Sequence, residues 1–192
     1  MRNHFRSNYS CYHLVDYDTI TAQARLKQTV QGFSDSSSWA RGQAWALYGY
    51  TMMYRETGLS KFLTQAENIA QFIVNHPRLP KDKIPYWDFD APNIPSALRD
   101  ASAGAIMASA FIELSQLTKD KKLSKRILKT AEQQIISLSS DQYFAKTGTN
   151  GNFILKHSVG SLPGKTEVDV PLTYADYYYV EALLRYKKLL ST

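Results

Sequence analysis

The sequence predicts an all-α fold, part of an α/α toroid, and three observations predict it. Apolar residues recur at three- and four-residue spacing through five separate segments, which is the helical period. Helices that are apolar almost all round alternate with helices that are apolar on one side. The pair, with a long loop after it, recurs after about 60 residues, and each such unit leaves a face that only its neighbours can cover. Inner helices walled by outer ones satisfy all three. The 192 residues make a single domain the default.

Residues 1–36 are mostly not helical in pattern. Tyr12 to Tyr17 alternates loosely, which predicts an extended segment or a short hairpin strand. Thr29 to Asp35 reads as a loop leading to Ser38, an expected N-cap whose hydroxyl would take a free first-turn N–H. The first helix is expected over about 39–57, stopped by Gly58. Trp45, Leu47, Tyr48, Tyr50, Met52, Met53 and Tyr54 surround it, so it should be more buried than its successor. That successor, about 60–75, carries Phe62, Leu63, Ala66, Ile69, Ala70 and Ile73 on one side.

A long proline-rich loop follows and holds Tyr86-Trp87-Asp88-Phe89-Asp90. Loops of this length in compact domains are often functional. Asp88 suits a loop anchor, and Asp100 suits the cap of a third helix running to about Leu117. Small residues crowd that helix (Ala101, Ser102, Ala103, Gly104, Ala105), so neighbours can approach closely. A fourth helix, about 122–138, is one-sided again through Leu123, Ile127, Ala131 and Ile135. Residues 139–170 carry four glycines and read as loop, and a fifth helix covers about 173–190.

The net charge of +6 permits acidic partners. The lysines are scattered except between Lys119 and Lys129, which reads as a solvated face. No zinc-finger, recognition-helix or RNA-binding pattern accompanies them, so nucleic acid is not an expected partner. Neither is a membrane, since no apolar run approaches the ~20 residues needed to cross one. The first residues do not form a leader peptide, which leaves the compartment open, cytoplasmic or periplasmic. Cys11 stands alone and can form no internal disulfide. Without a Gly-rich phosphate loop or clustered His and Cys, no cofactor and no metal is expected.

The densest chemistry lies in Ser37 to Gly49. Arg41 and Trp45 are four apart, so they share a helix face. A guanidinium is a planar fork suited to a carboxylate, and an indole is a plate suited to a sugar ring. A helix start adds partial positive charge. This is a seat for an acidic sugar, and equally a core in which Arg41 is a satisfied structural arginine.

Trp39-Ala40-Arg41-Gly42-Gln43-Ala44-Trp45, with Leu47-Tyr48-Gly49 after it, resembles the signature of glycoside hydrolase family 88, the unsaturated glucuronyl hydrolases. Tyr12-His13-Leu14-Val15-Asp16-Tyr17-Asp18, Thr29-Val30-Gln31-Gly32-Phe33 and Pro85 to Asp90 agree. So do Arg99-Asp100-Ala101-Ser102 and Pro171-Leu172-Thr173-Tyr174-Ala175-Asp176, all in family order. The resemblance covers the whole chain but only the C-terminal half of such an enzyme. It implies six helix pairs around a ring, of which about five helices fall here.

It also implies a substrate, an oligosaccharide ending in a 4,5-unsaturated uronic acid left by a polysaccharide lyase. In the family an aspartate protonates C4, water adds at C5, and the hemiketal opens. By resemblance His13 and Gln31 place the water and steady the developing charge. Trp39, Arg41 and Trp45 hold the sugar and its carboxylate. The proton-donating aspartate and a second that assists it lie upstream of the His13 motif in the family. Ser158 and Ser161 match a sulfate-binding Ser-x-x-Ser-x-Lys pattern, but Pro163 stands where Lys is expected and Lys165 follows two later. The alternatives are an unsaturated rhamnogalacturonyl hydrolase, a non-catalytic remnant that binds acidic sugar, and half of a split enzyme. For the last, a missing N-terminal half or self-association would cover the open flanks of the ring.

Overall fold

The computed structural model describes residues 3–191. Five helices carry the fold: α1 (Ala40–Thr57), α2 (Ser60–Asn75), α3 (Ala101–Leu117), α4 (Lys121–Leu138) and α5 (Thr173–Leu190). Their ends follow local chemistry. Gly58 takes the left-handed conformation at φ 67° and donates its N–H to Tyr54 O, closing α1. The Asp100 carboxylate accepts from Ser102 N–H at the start of α3. Asp120 accepts from Lys122 and Leu123 N–H at the start of α4. None of the described helices is long and apolar enough to cross a membrane.

The centre is α3, almost wholly buried, with α1 and α5 on either side and α4 behind. Its small residues do what the sequence implied. A Cβ on Gly104 would sit 2.9 Å from Ile84 Cδ1, so the loop before α3 lies directly on the helix. The outer helices bury one side each, α2 through Leu63, Ala66, Ile69 and Ile73 and α4 through Leu123, Ile127 and Ala131. Tyr48 of α1 and Tyr178 of α5 meet edge to face at 5.0 Å, so the three inner helices form one wall.

Two expectations need correction. The first is that α1 is more buried than α2. Each buries six residues, and Trp45 and Met53 of α1 remain exposed. A Cβ on Gly49 would meet nothing. Helix α1 lies at one edge of the row of inner helices, so only α3 is walled on both flanks. At the other edge α5 exposes Tyr177, Val180 and Leu184, a stripe at helical spacing.

The second concerns residues 139–170, which are not all loop. They contain a 3-10 turn at Asn150–Asn152 and a hairpin. Strands β1 (Leu14–Tyr17) and β2 (Ala24–Gln28) form one antiparallel hairpin, and β3 (Ser158–Ser161) and β4 (Thr166–Val170) form the other. Strand β1 lies within the expected extended segment. Strand β4 is hard to read, because Lys165, Glu167 and Asp169 take positive φ and break the strand alternation.

Candidate functional site

The turn into α1 is built by pairing across loops. Phe89 N–H donates to Ser38 O at 3.0 Å, and Ala40 N–H to Trp87 O at 3.2 Å. Ser38 is therefore not a side-chain cap. The cap position falls at Trp39, with no side-chain bond, because the 86–90 loop supplies the partners instead. Gly42 makes room for the Trp39 ring, since a Cβ there would lie 2.9 Å from Trp39 Cε3.

Asp88 anchors that loop. Its carboxylate is buried and accepts from Phe33 N–H at 2.9 Å, Ser37 Oγ at 2.7 Å and Asp90 N–H at 2.8 Å. Burial raises its carboxyl above the ordinary range, and those donors oppose the rise.

Arg41 is only 3% exposed and spends its fork inside the protein. It donates to Asp100 Oδ2 at 3.1 Å, to Gly160 O at 2.6 Å and to Val159 O. Its guanidinium lies 4.6 Å from the Trp39 ring centre and 5.4 Å from that of Tyr174. Gln31 Nε2 reaches the same Gly160 carbonyl at 2.9 Å. Arg41 and Gln31 thus tie strand β3 to the start of α1 and to the loop before it.

His13 stacks on Trp39 at 4.4 Å between ring centres. Its Nδ1 faces the backbone N–H groups of Val30 at 3.1 Å and Gln31 at 3.2 Å. Two N–H donors require Nδ1 to be the acceptor, so the proton sits on Nε2. Nε2 makes no bond to the described residues and is the ring's free donor. Burial, and then the Arg41 charge, lower the pKa of His13. It is therefore neutral at pH 7. Protonation would put an N–H against two N–H donors, so the contribution of this contact is present above the unfolded pKa near 6.5 and is lost as pH falls through the lowered value. Nitrogen-15 NMR of the His13 ring should show the Nε2–H tautomer at pH 7, with lower protection of the Val30 and Gln31 amides, relative to their intrinsic exchange rates, on acidification. An Nδ1–H tautomer would refute the assignment.

Five of the candidates come together: His13, Gln31, Trp39, Arg41 and Trp45. Trp45 is 36% exposed and lies against Tyr174 and Tyr178. Tyr174 was not singled out from the sequence, although it sits in the Pro171-to-Asp176 run. Burial raises the pKa of its hydroxyl, which keeps it protonated. The three sulfate candidates separate. Ser158 is fully buried, and its hydroxyl accepts from Ser102 N–H at 3.1 Å, so it supports α3. Ser161 accepts from Gly164 N–H at 3.2 Å, and Lys165 is exposed on the hairpin turn. Among the described residues no group of three or more His, Cys, Asp or Glu is placed to hold a metal.

No protein-family model matches the chain. Curated relatives do. An unsaturated glucuronyl hydrolase of Formosa agariphila is 48% identical over 190 residues, which is 99% of this chain and 46% of that protein. An unsaturated chondroitin disaccharide hydrolase of Streptococcus pyogenes is 34% identical over 97% of this chain and 46% of its own length. Among solved structures, an unsaturated glucuronyl hydrolase specific for heparin superposes with a TM-score of 0.96 at 52% identity, over all of this chain and 51% of that one. The enzyme of Bacillus sp. GL1 superposes at 0.88 with 33% identity, over 97% of this chain and 49% of that one. By fold and by sequence the chain is thus similar to α/α-toroid glycoside hydrolases. More narrowly, the chain is homologous to the unsaturated glucuronyl hydrolases of glycoside hydrolase family 88. It spans about half the length of the curated relatives it matches, consistent with a C-terminal half.

Proposed function

We propose that this chain forms the sugar-binding part of an enzyme that hydrates a 4,5-unsaturated uronic acid at the non-reducing end of a glycosaminoglycan fragment. The observation that carries the reading is the convergence of His13 Nε2–H, Trp39, Trp45 and Tyr174 at the edge of the inner-helix wall. Flat rings flank a free donor there, and the buried Arg41 charge lies beside them. The partly exposed Trp45 plate takes a face of the sugar, while Trp39, only 7% exposed with His13 and Arg41 against its ring, backs the site from within. The neutral His13 donates through Nε2 to water or to an oxygen of the uronate. Arg41 and Gln31 hold strand β3 in place, and Arg41 lends positive charge to the uronate side. Ser161 and Lys165 remain candidates for contact with a sulfated neighbouring sugar.

The likeness to a heparin-specific enzyme at 52% identity supports heparin-type fragments as the substrate class. The exposed stripe on α5 supports a second reading, in which a complementary half or a second copy completes the ring.

Titration of the protein with an unsaturated disaccharide tests the first reading. Trp45→Ala should weaken binding roughly 10- to 100-fold, the loss of one aromatic anchor. Because Trp45 is partly exposed, the melting temperature should change little. Unchanged affinity in Trp45→Ala would remove Trp45 from the site. Absence of binding to the wild-type protein with an intact fold would refute the reading.

A further inference from the structure

Loop 81–83 and α4 enclose a cleft of about 550 Å³ that shares no residue with the site above. Its walls carry Lys81, Lys83, Arg126 and Lys129. The sole carboxylate among its lining residues is Glu132, which accepts from Tyr186 OH at 3.0 Å. None of the four cations is in an ion pair among the described residues.

The loop is held to the helix by two bonds. Gln134 Nε2 donates to Lys83 O at 3.0 Å, and Ser137 Oγ to Asp82 O at 2.8 Å. The backbone that carries the loop lysines is therefore held opposite α4. Lys83 takes φ 64°, a conformation that favours glycine or asparagine. Along α4, Lys122 and Arg126, and Lys125 and Lys129, are like-charged pairs four apart, which cost stability without an anion. A solvated face accounts for scattered lysines. Arg126 is tied to Val74 O at 3.1 Å, but a solvated face does not account for two elements bringing Lys81, Lys83 and Lys129 to one cleft without an ion pair among the described residues.

We propose that this cleft binds a linear sulfated or carboxylated polysaccharide chain, at a site separate from the one for the unsaturated uronate. The choice of occupant rests on the function proposed above. It is favoured over nucleic acid because no aromatic side chain lines the cleft to stack on a base. A polymer held there keeps the enzyme near the material from which its fragments are cut.

The test uses a heparin-type oligosaccharide of roughly ten sugars with a saturated non-reducing end, which the uronate site does not recognise. Calorimetric titration should give salt-dependent binding. Lys81→Gln with Lys129→Gln should weaken it by roughly tenfold or more. Lys61→Gln with Lys187→Gln, the same charge change elsewhere, should leave it nearly unaltered, as should Trp45→Ala. Equal loss in both lysine pairs would overturn the proposal in favour of net charge alone. So would no loss in the first pair, or no binding at all. Duplex or single-stranded DNA bound more tightly than the oligosaccharide, with the same dependence on Lys81 and Lys129, would overturn it in favour of a nucleic-acid surface. Retained disaccharide binding alongside any of these failures would leave the uronate site standing.

Discussion

Replacing Arg41 with methionine should lower stability by about 3–5 kcal/mol, the cost of breaking a buried ion pair from one side. The partner left behind is Asp100, fully buried, and with it the carbonyls of Val159 and Gly160. For a chain of this size the melting temperature should fall by roughly 10 °C. Arg41→Lys keeps the charge but loses the fork that spans Asp100 and two carbonyls, so it should recover only a small part of the loss. Adding Asp100→Asn to Arg41→Met should cost much less than the sum of the two single changes, because the stranded charge is removed. Urea unfolding monitored by tryptophan fluorescence measures all four. A loss under 1 kcal/mol for Arg41→Met would mean that these bonds do not hold strand β3 in solution. A fall in uronate affinity for Arg41→Lys is still expected, and it would come through Gly160 and the hairpin that the fork holds.

Arg41 also marks where the sequence stops being informative. Its type and its spacing from Trp45 are visible, and both describe a free fork as well as a satisfied one. What settles its bonding is the approach of β3, more than a hundred residues away, and no local pattern announces that. The helices are different. Their ends are written in Gly58 and Asp100 and in periodic apolar residues, so α2 and α5 fall where the spacing puts them. Ser38 failed as a cap for the same reason that Arg41 was ambiguous: a distant loop, Trp87 to Phe89, reached its backbone first. Strand β3 holds Gly160 under Glu167, where a Cβ would lie 2.5 Å from Glu167 Cβ, so the strand's glycine serves packing and does not mark a loop. Ser158 was read as a sulfate contact from its motif, yet its hydroxyl points into the protein. The ring contacts of His13 with Trp39 and of Tyr174 with Trp45 came from the fold as a whole.

A polypeptide of these 192 residues alone should hydrate unsaturated disaccharides far more slowly than a full-length relative, by roughly 10²–10⁴-fold for want of a positioned acid. Protonation of C4 needs a carboxyl group with a free proton facing the sugar. The two buried carboxylates near the site are already committed. Asp88 accepts from Phe33 N–H, Ser37 Oγ and Asp90 N–H. Asp100 accepts from Arg41, Ser102 N–H and Ser102 Oγ, with no exposed surface. His13 is neutral, holds its proton on Nε2 and is a weak acid for carbon. The substrate's conjugated double bond absorbs in the near ultraviolet, and hydration destroys that absorbance, so turnover is read directly. Slow decay that rises sharply on adding a separately expressed segment from the other half of a relative would assign the acid to that segment. It would also give the exposed stripe of Tyr177, Val180 and Leu184 a partner, and Leu184→Lys should then abolish the gain. Robust decay with this polypeptide alone would overturn the expectation. Asp88→Asn and Asp100→Asn would then show which carboxylate had given up its backbone bonds to act as the acid.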